Sequence, residues 1–272
     1  MLRDAESTEI GMSELLETIE DGVATLTFNR PDRMNALSTP IMDGLFEAFP
    51  RLAGDPAVGV VILTGSGRAF CAGGDVKSMA AAGPVQSEEQ AVARLRARME
   101  VSRLIHDLSK PTIAMINGPA AGAGLSLALA CDLRFAGESA RLVTAFAKIG
   151  FSGDFGGTYF LSQLVGPSKA RELYFTAEPV PAREALALGI VNRVVADNDL
   201  AKVTTAFARS LSKGPRVALG LMKQSFNLAE VASLSEVLDA EASRMIRSGR
   251  TEDHREAASA FVEKRAPVFV GR

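Results

Sequence analysis

Two runs of small residues mark where this chain could do chemistry: Phe70-Cys71-Ala72-Gly73-Gly74-Asp75 and Asn117-Gly118-Pro119-Ala120-Ala121-Gly122-Ala123-Gly124. Each follows an apolar stretch of strand character, 58–64 before the first and 112–116 before the second. Turns without bulky side chains let a ligand come close to main-chain N–H groups. The second run also opens a helix, whose first N–H groups are unpaired and whose dipole favours negative charge. Two such turns meeting on one carbonyl oxygen would make an oxyanion hole from backbone alone. That is the working part of an acyl-transfer or enolate-forming enzyme. Tight chain reversal is the other reading of either run, since glycine-rich turns follow strands throughout α/β proteins.

The elements that must hold these turns are read from patterning. Residues 1–17 read as a loosely held arm, and strand alternation begins with Ala24, Leu26 and Phe28 between threonines. Ser38-Thr39-Pro40 reads as an N-cap with Pro at the helix start. Ile41, Leu45, Phe49 and Leu52 follow at helical spacing, with Pro50 expected to end or bend that helix. Val60-Val61-Ile62-Leu63 suits a strand covered on both faces. Residues 79–90 are rich in Ala and Gly, lack a period and read as a mobile segment beside the site. A helix is expected over 91–108, broken by Lys110-Pro111 before the strand at 112–116. Strand, turn and helix recur through 133–135, 142–144 and 191–195, which fits an α/β spiral of ββα units over 18–199 rather than a doubly wound sheet. Residues 200–272 read as a helical region, with segments at 199–212, 215–229, 233–248 and 252–264. Their amphipathic stripes need something to cover them.

At 272 residues the chain can bury a substantial core, and 47% hydrophobic with 23% charged residues is ordinary for a globular protein. A formal charge of −2 gives no sign of a nucleic-acid or membrane partner. No apolar run approaches the roughly 20 residues of a spanning helix. The start of the chain, with Asp4, Glu6 and Glu9, lacks the basic and apolar blocks of a signal peptide, so a cytoplasmic setting is expected. Cys71 and Cys131 form no metal-ligand pattern and His106 and His254 stand alone, so no metal site is expected.

In this order and with these flanks, the two turns resemble the crotonase (enoyl-CoA hydratase/isomerase) superfamily. The first family turn reads C/A-A-G-x-D; the second reads N-G-x-A-x-G-x-G, followed by an apolar helix and Cys-Asp, here 125–130 and Cys131-Asp132. The likeness extends to Phe28-Asn29-Arg30-Pro31-Asp32-Arg33-Met34-Asn35-Ala36-Leu37 and to Ala260-Phe261-Val262-Glu263-Lys264-Arg265, spanning nearly the whole chain. The resemblance implies the ClpP/crotonase-like fold and an acyl-CoA thioester as substrate. It also implies a homotrimer, or a hexamer built as a dimer of trimers, held by the helical tail. Carried over by position, the N–H groups of Gly74 and Ala123 would form the oxyanion hole. Arg33, Ala36, Ala72, Asp75 and Val76 would line the coenzyme pocket, while Phe261 and Lys264 would reach a neighbouring subunit's ligand. A solvated charge is the alternative for Lys264. Coenzyme A would arrive as part of the substrate, and no separate cofactor is implied.

Hydratases of this family use two glutamates to position and deprotonate water, and at those positions this chain carries Ser126 and Phe146. A single Asp154 stands in Lys148-Ile149-Gly150-Phe151-Ser152-Gly153-Asp154-Phe155-Gly156-Gly157-Thr158, where hydratases carry Gly. This pattern resembles the branch containing enoyl-CoA isomerases and 1,2-epoxyphenylacetyl-CoA isomerase. One carboxylate suffices there, taking a proton α to the thioester and returning it at the γ carbon. Such a shuttle needs a raised pKa, which Phe146, Phe151 and Phe155 could supply by desolvation. The local alternative for Asp154 is an N-cap for a helix over 155–164. Ser126 is expected to bond back within its helix, and Cys71 to be a buried packer. Hydration, nucleophilic attack by Asp154, and acyl-CoA binding without turnover remain the other readings. Met79, the segment after it and the surroundings of Phe146 are expected to wall the acyl pocket.

Overall fold

The computed structural model describes residues 13–75 and 87–272. Its main sheet has six strands in the order β1-β2-β3-β4-β6-β9: Leu15–Glu20, Val23–Phe28, Val60–Gly65, Thr112–Ile116, Leu133–Gly137 and Arg193–Val195. β1 pairs antiparallel with β2, and the remaining neighbours are parallel. A second sheet joins β5 (Ala120–Ala121), β7 (Arg141–Val143) and β8 (Val180–Pro181). Every residue of β3 is buried, as its unbroken apolar run requires.

Alternation sorts the main sheet into two faces. Ala24, Leu26, Phe28, Val61, Leu63, Ala114 and Ile116 share a core with α1 (Thr39–Gly54), α2 (Glu88–Asp107) and α3 (Ala123–Ala130). Val23, Val60, Ile62, Ile113 and Phe135 face Leu200, Phe207, Ala208 and Leu211 of α6 (Leu200–Ser212). All eight residues of α3 are buried, so this short helix has no polar face and sits inside the molecule. The buried Arg134 guanidinium donates to the carbonyls of Leu129, Cys131 and Ile190 at 3.3, 2.5 and 2.7 Å, closing the C-terminal end of α3.

Further helices are α4 (Gly157–Thr176), with its axis broken at Gly166, α5 (Ala182–Ala187), α7 (Arg216–Ala229), α8 (Leu234–Ser248) and α9 (Glu252–Glu263). Lys223 on α7 donates to Asp132 at 2.8 Å and to the carbonyl of Ile105 at 3.1 Å. No helix of the described residues is long and apolar enough to cross a membrane.

Three sequence expectations change. Strand β1 starts at Leu15, inside the arm expected over 1–17, because its backbone pairs along the whole of β2 although its side chains are largely exposed. Pro50 does not end α1, which runs on to Gly54 because Phe49 and Leu52 are buried on either side of it. Residues 88–90, expected in the mobile segment, begin α2 behind the Ser87 cap; the rest of that segment, including Met79, and the coenzyme candidate Val76 lie outside the described residues.

Candidate active site

The first turn is fixed from two sides. Fully buried Asn35 donates its side-chain amide to the carbonyls of Ser66 and Ala69 at 2.9 and 2.8 Å and accepts from the Arg30 N–H at 2.9 Å. Asn117, at the head of the second turn, donates to the carbonyls of Gly67 and Ala69 at 2.9 and 3.2 Å. Main-chain bonds then join the turns: Phe70 N–H to Pro119 O at 3.1 Å and Ala121 N–H to Cys71 O at 2.9 Å. From the other side, Leu37 N–H donates to Gly73 O at 2.8 Å and Ala72 N–H to Met34 O at 2.9 Å.

Gly73 shows how close the turns lie. Its φ is +86°, and a Cβ there would stand 2.7 Å from Ala121 O and 3.2 Å from Ala123 N. Among the described residues, neither the Gly74 nor the Ala123 N–H has a hydrogen-bond acceptor. Ala123 is the first residue of α3, where an unpaired N–H and the positive end of the helix dipole coincide. Gly74, Ala123 and Asp154 line one cavity of about 390 Å³.

Asp154 lies on the loop between a 3₁₀ turn (Phe146–Ile149) and α4. Its Oδ1 is buried with no hydrogen-bond partner among the described residues, and burial pushes the carboxyl pKa up to about 6. The N-cap alternative fails: α4 starts at Gly157 behind Gly156, and Asp154 offers that helix only its main-chain oxygen, which accepts from Gly157 N–H at 3.1 Å. Of the three phenylalanines expected to desolvate it, Phe146 and Phe155 are buried, whereas Phe151 is 55% exposed. The hydroxyl of buried Ser102 donates to Phe155 O at 2.8 Å, so α2 holds this loop in place.

Behind Asp154 lies Tyr174, which no sequence feature singled out. It stacks on Phe146 at 5.9 Å, and its hydroxyl and Ser126 Oγ both flank Gly157, so it lies beside both positions at which hydratases carry glutamate. Burial, then the neighbouring Asp154 charge, push the phenol up to about 12, against an opposing influence of nearby Ser126, and it stays neutral. Gly157 leaves room for this pair: a Cβ there would meet Tyr174 Oη at 2.3 Å and Ser126 Oγ at 2.4 Å. Ser126 Oγ also donates back to Gly122 O at 3.3 Å, as expected. Cys71 is fully buried and its thiol is pushed up to about 12 by burial, which suits a packing residue.

The coenzyme candidates are less concentrated. Asp75 lines the cavity and pairs with Arg30 at 3.4 Å. Ala36 is buried, with its carbonyl accepting from the Arg30 guanidinium at 2.8 Å, while Arg33 and Ala72 are exposed close by in sequence. Phe261, 85% exposed, and Lys264, the left-handed C-cap of α9, are not among the residues lining the cavity of their own chain.

A family model described as enoyl-CoA hydratase/isomerase matches residues 18–272. The chain is 38% identical over 263 residues to 1,2-epoxyphenylacetyl-CoA isomerase of Escherichia coli K12, covering 96% of this chain and all of that one. It is 35% identical over 255 residues to crotonyl-CoA hydratase of Syntrophomonas wolfei, covering 93% and 96% of the two chains. Among solved structures, the enoyl-CoA hydratase from Bacillus anthracis superposes with a TM-score of 0.90 at 31% identity, covering 95% of this chain and all of that one.

Proposed function

The chain belongs to the enoyl-CoA hydratase/isomerase family, and from that premise we propose that it moves a double bond within an enoyl-CoA thioester. Asp154 is the single acid/base, and the N–H groups of Gly74 and Ala123 are the oxyanion hole. The observation carrying this reading is the Asp154 carboxylate, with one buried oxygen unpartnered among the described residues, on the same cavity as Gly74 and Ala123, whose N–H groups have no acceptor among those residues. The Asp154 carboxylate takes a proton from the carbon α to the thioester. The electron pair moves onto the thioester oxygen, giving a dienolate held by the two N–H groups. The carboxylic acid then returns its proton at the γ carbon, and the double bond ends in conjugation. Total charge stays constant, passing from carboxylate to oxygen and back. A pKa near 6 serves both directions, since acid and base forms lie within reach of each other near neutrality.

Hydration is the rival reading, favoured by the crotonyl-CoA hydratase likeness. Against it stand Ser126 and Phe146, packed with Tyr174 where a second carboxylate would be needed. The other carboxylate on the cavity, Asp75, is engaged by Arg30. In this reading Arg33, Ala36, Ala72, Asp75 and Val76 border the coenzyme, and Phe261 and Lys264 complete the site of a neighbouring subunit in a cytoplasmic trimer or hexamer.

The test follows the ultraviolet absorbance of a conjugated 2-enoyl thioester formed from a 3-enoyl-CoA. Wild type should produce it, and Asp154→Asn should be slower by about 10²–10⁴-fold. Undiminished turnover by the variant would remove Asp154 from the mechanism. Rapid formation of a 3-hydroxyacyl product from 2-enoyl-CoA would favour hydration.

A further inference from the structure

We propose that Arg94 and Arg98 form an oxyanion-binding pair on the wall of the reaction cavity and hold an anionic group of the bound thioester. This rests on the reading above that the cavity receives an acyl-CoA. Both residues lie one turn apart on α2 and line the cavity that contains Gly74, Ala123 and Asp154. The arginines of α2 are treated differently according to where they sit. Arg96 and Arg103, absent from the cavity lining, pair with Glu100, and Arg103 also pairs with Asp107 at 3.2 Å. Among the described residues, Arg98 on the cavity wall donates only to the neutral Thr39 hydroxyl at 2.9 Å, and Arg94 has no carboxylate partner.

The third guanidinium of the cavity, Arg30, is balanced by Glu14 at 3.3 Å and Asp75 at 3.4 Å. Two like charges at this helical spacing repel one another, and an anion between them turns that repulsion into attraction. Guanidinium groups present paired donors that match carboxylate or phosphate oxygens. The surfaces beside them are apolar, with Leu37, Met42, Leu95 and Phe155 on the same cavity. That combination suits an acyl chain with an apolar middle and a carboxylate at its far end. The coenzyme's phosphates carry the same oxyanion chemistry and are the second source to be distinguished.

Saturated thioesters separate these sources without any reaction. Adipoyl-CoA monothioester, hexanoyl-CoA and the corresponding two pantetheine thioesters are titrated calorimetrically into the full-length wild type and the Arg94→Gln/Arg98→Gln double variant. An acyl carboxylate source predicts at least ~10-fold weaker binding of both adipoyl ligands, with hexanoyl binding nearly unchanged. A phosphate source predicts equal weakening of both CoA ligands and none with pantetheine. Unaltered binding of all four overturns the pair, as does an equal loss that includes hexanoyl-pantetheine. A wild type that binds these ligands yet shifts no double bond overturns the isomerase reading and leaves the pair standing.

Discussion

Asp154 is placed where the two demands on a proton shuttle can be separated experimentally. Its carboxyl titrates near 6 in the folded chain because burial disfavours the anion, against an ordinary value of 3.8. For a base that must be ionised in the free enzyme, kcat/KM on a 3-enoyl-CoA should rise with pH through about 6 and level off above it. Stability should run the other way. Below the ordinary value the group is protonated in both folded and unfolded chains and costs nothing. As pH rises through about 6 the unfolded chain is already ionised, while the folded chain must hold a desolvated anion, so folding loses free energy. Asp154→Asn should therefore melt at higher temperature than wild type at pH 8, by a margin on the order of 1 kcal/mol after allowance for partial exposure, shrinking towards pH 4. Melting curves at both pH values check this, and a variant less stable than wild type at pH 8 would contradict it. Resemblance to a family singled out Asp154 in the sequence, where its local pattern favoured a helix cap. What decides against the cap is the helix start itself: α4 opens at Gly157 behind Gly156, and Asp154 meets it only through its main-chain oxygen. Tyr174 had no signal, since a tyrosine in an ordinary helical stretch declares nothing about what it will stack on.

The two glycine turns work only as a pair, and their approach is set by strands β3 and β4, which deliver them to the same edge of the sheet in parallel register. Both strands were legible as apolar runs, and α3 as an apolar helix. The cross-ties were not, because Asn35 and Asn117 look like ordinary turn residues until the carbonyls they bridge are known. Pro50 does not end its helix for a related reason: a local rule about proline yields when the residues around it are buried. Gly73 is where the pairing can be tested. An added methyl would press on Ala121 O and Ala123 N while the residue keeps a left-handed φ. Gly73→Ala should thus push the turns apart, misplacing both donors at once. Losing one donor of an oxyanion hole slows catalysis about 10²–10³-fold, so kcat should fall by at least that range. The fold should survive with a loss of about 1–3 kcal/mol in urea unfolding. Near wild-type kcat in a folded Gly73→Ala protein would mean that the two N–H groups do not act together.

The whole chain has more apolar surface than one copy can cover. Met222 and Phe226 on α7, Met245 on α8, and Phe261 and Val262 on α9 are between 55% and 85% exposed. Amphipathic stripes in this region were legible in the sequence as surfaces in need of a cover, but not what would cover them. Contiguous exposed apolar surface on a folded chain marks an interaction site, and the family likeness makes other copies of this chain the expected cover. Phe261 and Lys264 then acquire a purpose that one chain alone does not give them, since neither lines its own cavity. If they complete a neighbour's coenzyme site, assembly and substrate affinity are coupled, and disrupting one must weaken the other. Phe226 does not line the cavity that holds Gly74, Ala123 and Asp154, so a charge placed there tests the coupling without touching the proposed chemistry. Wild type should elute as a trimer or hexamer by size exclusion with light scattering. Phe226→Glu should shift it towards monomer, because an unpaired charge would have to be buried. The monomer should retain its fold by circular dichroism and show a KM for the enoyl-CoA raised by about 10-fold or more, the loss expected for removing a charged contact to phosphate. A wild type that is monomeric at micromolar concentration, or a monomeric variant with unchanged KM, would break the link between the helical tail and the site.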